Sequence, residues 1–153
     1  MTQSPSADKP QAQAGPGHLF VFGMGYSAGA LADSLLADGW TVAGTCRSAE
    51  TANALKARGI DAHLFDGSAP LEEARDLLQQ ATHVLSSVPP ASDVADPVLE
   101  WHFMDLADLT QCRWIGYLST TGVYGDRNGG WVDENSALEP TGIRGERRVT
   151  AEA

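Results

Sequence analysis

A cluster of small residues follows the first apolar run of the chain, and its spacing suits the binding of a phosphate. After the run HLFVF come Gly23, Gly25 and Ala28, with Tyr26 between them, and a helix-like pattern begins there. In a strand-to-helix turn, the first glycine permits a sharp turn, the second clears the path of a pyrophosphate, and the third small residue allows close packing. The helix N-terminus then offers unpaired N–H groups to a dinucleotide. The alternative is an ordinary tight turn.

The residues after the second apolar run bear on which dinucleotide is bound. An NAD site usually carries a carboxylate there, which accepts hydrogen bonds from the ribose. This chain has Arg47 and Ser48 instead, about twenty residues past the glycines, where the discriminating group is expected. Arg and Ser can bind a 2′-phosphate that a carboxylate would repel, so the pattern favours NADP(H) over NAD(H). The alternative for Arg47 is a solvated surface cation.

Two further stretches follow the ends of predicted strands. Together with the glycine turn, they would border one crevice at the carboxyl edge of the predicted sheet. Asp66, in LFDGS, either accepts a hydrogen bond from an adenine amino group or forms a turn. Val88 and Pro89, in SSVPP, either line the opposite side of the crevice or simply terminate a strand. Ligands of open α/β sheets bind outside the carboxyl ends of the strands, so these residues complete the predicted cofactor site.

The composition restricts the class of protein. A chain of 153 residues is long enough for one domain, and its net charge of −10 disfavours nucleic acid as a partner. No apolar stretch is long enough to cross a bilayer and no secretory signal pattern is present, so we expect a cytoplasmic protein without a membrane partner. Cys46 and Cys112 lie far apart and the four histidines are scattered, so we expect reduced thiols and no metal site.

Short apolar runs alternate with helical patterns along most of the chain. Residues 1–17 are polar and rich in Pro, Ala, Gln and Gly, which predicts a disordered tail. The alternation that follows predicts an α/β fold: a Rossmann-like, doubly wound parallel sheet with helices on both faces and strand order 3-2-1-4-5. Gly39 and Gly59 are expected to end the first two helices. An antiparallel α+β fold would need hairpins, and candidate two-residue turns between the strands are absent.

Together these motifs resemble the short-chain dehydrogenase/reductase superfamily, and most of all its extended and atypical members related to NAD(P)-dependent sugar-nucleotide epimerases and dehydratases. The stretches that carry the resemblance are FGMGYSAGALA, GTCRS, FDG, VLSSVPP and YLSTTGVYGD. The resemblance implies an NAD(P)-binding Rossmann domain over residues 18–153 and a small-molecule substrate, for which a nucleotide sugar is one candidate class. It also implies at least one further strand and a smaller C-terminal substrate region beyond Ala153, so we expect either a fragment or a pared-down nucleotide-binding unit.

The STTGVYG stretch implies residues that handle the substrate oxygen and its proton. By resemblance, Thr120 orients the substrate oxygen, and a Tyr-x-x-x-Lys pair should follow. Alignment on Pro140 and the final Ala-Glu puts Arg144 at the Tyr position and Arg148 at the Lys position. A guanidinium can replace the Lys cation but is a poor proton donor, so Tyr124 becomes the candidate for proton transfer. The alternative for the arginines is a solvated basic helix face.

Two functions therefore stay open at this point. One is an NAD(P)-dependent oxidoreductase or epimerase/dehydratase-like protein that acts on a carbonyl or hydroxyl substrate. The other is a non-catalytic NADP(H)-binding regulatory or redox-sensing module. The oligomeric state is open as well, although helices beside the later strands often pair in members of the superfamily, which allows a homodimer. A nucleotide-hydrolysing α/β protein is disfavoured because the chain has no glycine–lysine phosphate loop.

Overall fold

The computed structural model describes residues 16–91 and 96–153. The strands are β1 (His18–Phe22), β2 (Thr41–Cys46), β3 (Asp61–Leu64), β4 (His83–Ser86) and β5 (Trp114–Tyr117). The helices are α1 (Tyr26–Ala37), α2 (Ala49–Ala57), α3 (Ala74–Gln80), α4 (Pro97–Ala107) and α5 (Ile143–Glu152), with a short 3-10 helix at Thr121–Tyr124. The predicted disordered tail lies outside the described residues except for its last two positions, Pro16 and Gly17.

The strands form one parallel sheet in the order β3-β2-β1-β4-β5. Every strand pair in it is parallel, which confirms the predicted fold class and excludes the antiparallel alternative for the described residues. The carboxyl ends of three strands are in register, because Phe22 pairs with Ser86 and Ser86 pairs with Tyr117. Most of the predicted site residues come directly after these strands, at the carboxyl edge of the sheet.

Helices cover both faces of the sheet, and the sequence of β1 suits this arrangement because it is apolar at every position after its first. Successive side chains of a strand point to opposite faces. Leu19 and Val21 accordingly pack into the core cluster beneath α1 and α2. Phe20 and Phe22 pack into a second cluster beneath α3 and α4. The continuous apolar run is thus explained by burial on both sides, as expected for a parallel sheet.

Glycines end the first two helices, and the third helix begins later than the sequence predicts. Gly39 and Gly59 follow α1 and α2 with φ of +81° and +84°, a left-handed conformation that ends a helix at little cost for glycine. The sequence predicts a third helix over 71–80, whereas α3 begins at Ala74. Before it, the backbone N–H of the buried Leu71 donates to Nε2 of the buried His102 on α4 at 3.1 Å, and the N–H of Ala74 donates to the carbonyl oxygen of Leu71 at 3.1 Å, which forms a tight turn instead of a turn of α-helix.

The last helix packs closely on the 3-10 helix through Gly145. A Cβ at this position would lie 2.6 Å from the carbonyl oxygen of Gly122 and 2.8 Å from the Cβ of Pro140. Only glycine permits this approach without a shift of the backbone. The contact holds α5, which carries Arg148, against the turn that carries Tyr124.

Candidate functional site

The glycine turn after β1 is held in place from the strands on both sides. Gly23 has φ of +83°, and its N–H donates to the hydroxyl oxygen of Thr45 on β2 at 2.8 Å. The next N–H, of Met24, donates to the carbonyl oxygen of Thr45 at 2.7 Å. From the other side, the hydroxyl of Ser87 after β4 donates to the carbonyl oxygen of Gly23. The turn is therefore fixed in shape before any ligand binds.

The N-terminus of α1 is open to solvent at this turn. Gly25 is the N-cap residue, and α1 has neither a side-chain cap nor an acidic residue in its first turn. A Cβ built on Gly25 meets no atom within 4 Å, so packing alone does not require glycine there. Ala28 is buried at 1% exposure, whereas Tyr26 is 95% exposed. The first amides of a helix have no intrahelical acceptor, so this end can receive an anionic group.

The two residues after β2 differ in what they already bind. The hydroxyl oxygen of Ser48 accepts from the backbone N–H of Thr51 at 3.2 Å, so Ser48 caps α2. Arg47 is exposed, and it forms no ion pair within the described part of the chain. The nearby Arg58 is engaged instead, since its Nη2 lies 2.7 Å from the carboxylate of Asp33. Arg47 is thus the exposed cation at the carboxyl end of β2.

Asp66, Val88 and Pro89 follow β3 and β4 at the same edge of the sheet. The Oδ1 atom of Asp66 accepts from the backbone N–H and the hydroxyl of Ser68, at 2.9 Å and 2.6 Å. These two hydrogen bonds hold the pKa of the Asp66 carboxyl below its usual range. Val88 is half-buried and faces the turn, since a Cβ at Gly23 would lie 3.0 Å from its Cγ2, whereas Pro89 is exposed. Asp66 therefore forms a turn, and the predicted adenine contact stays a prediction.

The residues predicted for proton transfer lie on or beside the 3-10 helix and α5. Thr120 is exposed, and its Oγ1 accepts from the N–H of Gly122 at 3.3 Å, so it caps the 3-10 helix that ends at Tyr124. Arg148 is only 8% exposed, and its guanidinium carbon lies 5.0 Å from the ring centroid of Tyr117. The alternative of a solvated basic face therefore describes the exposed Arg144 but not Arg148.

Two residues beside Arg148 were not predicted as site residues. Burial raises the pKa of the Tyr117 phenol to about 12, the nearby Asp96 carboxylate adds to the rise, and Arg148 opposes it. Asp96 is 4% exposed and caps α4. A tyrosine within an apolar strand reads as a core residue, and an Asp before Pro reads as a cap, so the sequence carried no signal for either.

Comparison with solved structures places this arrangement among proteins of the same fold. One neighbour is a conserved protein of unknown function from Silicibacter pomeroyi, with 43% identity, a TM-score of 0.77, and coverage of 89% of this chain and 46% of its own. A second is the PbgP3 protein from Burkholderia pseudomallei, at 17% identity, a TM-score of 0.64, and coverage of 90% and 45%. A third is a reductase engineered for asymmetric catalysis, at 21% identity, a TM-score of 0.58, and coverage of 71% and 39%.

These comparisons show the fold of the chain and do not show its activity. The chain spans about half the length, or less, of the solved proteins named above. No protein-family model matches the chain, and no curated protein matches it. Among the described residues, no group of three or more His, Cys, Asp or Glu side chains is placed to hold a metal ion. None of the described helices has the length and apolar character needed to span a membrane.

Proposed function

We propose that this chain is an NADP(H)-binding unit of an NAD(P)-dependent oxidoreductase that acts on a carbonyl or hydroxyl group. The observation that carries the proposal is the turn at Gly23 and Gly25. Its backbone is fixed by Thr45 and Ser87, yet the end of α1 beyond it is uncapped and open. A pre-shaped turn with free amides is suited to a pyrophosphate, because the cost of ordering the loop has already been met during folding.

The open space at Gly25, together with its place at the carboxyl end of β1, supports this assignment over an ordinary tight turn. A glycine that serves only packing would have atoms close to its missing side chain, as Gly145 does. At Gly25 nothing lies within 4 Å, and φ is −86°, which any residue can adopt. The small residue therefore fits a ligand that approaches the backbone from outside the protein.

The remaining cofactor contacts follow the ends of the neighbouring strands. Arg47 would hold the 2′-phosphate, with Ser48 beside it, although Ser48 already caps α2. Asp66, Val88 and Pro89 would border the adenosine end, and Tyr26 would lie over the phosphates from α1. Since Arg47 is exposed and no carboxylate precedes Glu50 after β2, the arrangement favours NADP(H) over NAD(H).

Bound NADPH supplies a hydride in such proteins, and this chain's own residues would manage the substrate oxygen and its proton. Thr120 would orient the oxygen through its hydroxyl, and Tyr124 would donate or remove the proton. Arg148 would supply the positive charge that the Lys of the Tyr-x-x-x-Lys pair supplies by resemblance. The ring of Tyr117 packs against its guanidinium and would hold it in place. The reductase among the structural neighbours supports this class of reaction, and a nucleotide sugar is one candidate substrate class, by resemblance to epimerases and dehydratases.

A second candidate is a non-catalytic NADP(H)-binding module. It is favoured by Arg144, which is exposed and occupies the position where a phenol is expected. The two candidates are separated by mixing the protein with NADPH and a panel of carbonyl compounds and nucleotide sugars, and following the absorbance of the reduced cofactor. Oxidation of NADPH that Tyr124→Phe abolishes would support the enzyme. Binding without turnover across the panel would favour the module.

A further inference from the structure

A cavity of about 300 Å³ lies beneath α4, between β5 and the end of α5. Its wall is mostly apolar, and part of it is formed by Phe22, Val84, Val98 and Leu106. Ile115 also lines it and is 56% exposed, so the cavity reaches solvent beside β5. The volume is at the lower end of the range of about 300–1,000 Å³ that is typical of small-molecule sites.

One end of this cavity is lined by polar side-chain atoms that lack hydrogen-bond partners among the described residues. Ser86, Asp96 and Tyr117 line it, and their buried Oγ, Oδ2 and Oη atoms have no described partner within full hydrogen-bond distance and angle, although the Asp96 carboxylate is close enough to the Tyr117 phenol to raise its pKa. Asp96 is held rigidly, because its other oxygen, Oδ1, accepts from the N–H groups of Val98 and Leu99 at 2.8 Å and 3.1 Å. Buried polar groups are nearly always satisfied in folded proteins, so three unmatched atoms around one cavity indicate a ligand with a polar group.

The charges around the cavity select the kind of polar group. The buried Asp96 brings a carboxylate to the polar end, which disfavours an anion beside it, whereas Glu152 is exposed and its Oε1 accepts from the hydroxyl of Ser119. The guanidinium carbon of Arg148, whose Nε and Nη1 atoms are also buried without a hydrogen bond to any described residue, lies 5.0 Å from the Tyr117 ring centroid and disfavours a cation beside that phenol. A neutral hydroxyl satisfies both partners at once, since it can donate to Oδ2 of Asp96 and accept from Oη of Tyr117.

We propose that this cavity binds a small neutral alcohol or phenol, with its hydroxyl between Asp96 and Tyr117 and its hydrocarbon part against the apolar wall. This site is distinct from the glycine turn, which lies after β1, and it would bind its ligand without a dinucleotide. Failure of NADPH to bind would therefore overturn the proposed function and leave this inference standing.

Benzyl alcohol is a suitable probe because it carries one hydroxyl on an apolar ring. In a nuclear magnetic resonance titration of the ¹⁵N-labelled chain without cofactor, we expect it to shift the amide signals of Gly116, Tyr117 and Val98. Toluene, which lacks the hydroxyl, should bind about 10-fold more weakly, since a hydrogen bond to a charged group is lost. Benzylamine and benzoate test the charge argument and should also bind more weakly. Equal binding of toluene, tighter binding of either ion, or no shifts with benzyl alcohol would overturn the proposal.

Variants locate the binding in the cavity. Tyr117→Phe and Asp96→Asn should each bring benzyl alcohol to the affinity of toluene, and asparagine retains the cap of α4. Asp76→Asn is the matched control, because it makes the same carboxylate-to-amide change at an exposed residue of α3 that does not line the cavity. Ala151→Leu should fill the cavity from α5 and abolish binding, which keeps the test decisive if a polar variant fails to fold. Unchanged binding by Ala151→Leu would place the ligand elsewhere and overturn the proposal.

Discussion

The amide nitrogen of Gly23 lies 2.8 Å from the hydroxyl oxygen of Thr45, so the turn after β1 is anchored to the carboxyl end of β2. Thr45 is fully buried, whereas the residue two positions later, Arg47, is exposed. The same short stretch of chain thus shapes the glycine turn and presents a cation beside it. This link explains how the predicted pyrophosphate and 2′-phosphate contacts can keep a fixed separation.

Removing the Thr45 hydroxyl should cost both stability and cofactor binding. Thr45→Val leaves the Gly23 N–H without its acceptor, so the free energy of unfolding should fall by about 1–3 kcal/mol in urea denaturation. NADPH affinity should fall with it, because the turn loses an anchor. Thr45→Ser keeps an acceptor at the same position and should recover most of both quantities. If Val and Ser variants behave alike, the hydroxyl does not hold the turn.

Substitution of Gly25 should separate packing from ligand binding. Gly25→Ala meets no protein atom, so the melting temperature should change little, with a loss of stability of at most about 1 kcal/mol for the poorer N-cap. NADPH affinity should nevertheless fall by about 10-fold or more, because the methyl group occupies the path of the pyrophosphate.

Gly142 provides the matched control for this experiment. It is also an N-cap glycine, on α5, and a Cβ there likewise meets no atom within 4 Å. Gly142→Ala should therefore have a similar effect on stability and none on NADPH affinity. Equal NADPH affinity of the Gly25→Ala variant and the parent would argue that the turn is only structural.

Arg47 should determine the preference between the two dinucleotides. Loss of a charge-assisted contact to the 2′-phosphate should weaken NADPH binding by Arg47→Ala about 10- to 100-fold, with NADH affinity unchanged. Arg75→Ala is the control, since Arg75 is another exposed arginine, on α3, paired with Asp108 at 3.2 Å. A parallel loss for NADH, or an equal effect of Arg75→Ala, would show that Arg47 acts only through general charge.

The free energy of unfolding at alkaline pH should depend on the burial of the Tyr117 phenol. Burial raises its pKa to about 12, from an ordinary value of 10.0. Because the folded value is the higher one, the stability contributed by the neutral phenol is present below pH 10.0 and is lost as the pH rises toward about 12. The free energy of unfolding should therefore fall more steeply over this window in the parent than in Tyr117→Phe, as measured by urea denaturation at each pH. Identical slopes would mean that the phenol is not perturbed by folding.

The fold could be predicted from the sequence because it depends on local patterns. Short apolar runs buried on two faces specify parallel strands, and Gly39 and Gly59 mark the ends of helices by their own backbone preference. The start of α3 was predicted less accurately, since the sequence predicts a helix from residue 71, whereas α3 begins at Ala74. Leu71 instead contacts a residue 31 positions away, because its N–H donates to Nε2 of His102, and no local pattern encodes such a contact.

The candidate site was predictable only in part for the same reason. The glycines and Arg47 are found by spacing within one βαβ unit, whereas Thr45 and Ser87 act through tertiary hydrogen bonds that no local pattern encodes. The burial of Arg148 against Tyr117 depends on how α5 docks on the sheet, and a charged residue on an amphipathic helix predicts exposure instead.

Isothermal titration calorimetry of the folded chain with NADPH and with NADH should show whether the glycine turn and Arg47 bind a nicotinamide dinucleotide. We expect saturable heat with NADPH at a stoichiometry of one per chain, and weaker binding of NADH. Absence of heat with both dinucleotides would contradict this expectation, since the open amides of α1 and the Arg47 guanidinium would then serve no nicotinamide dinucleotide.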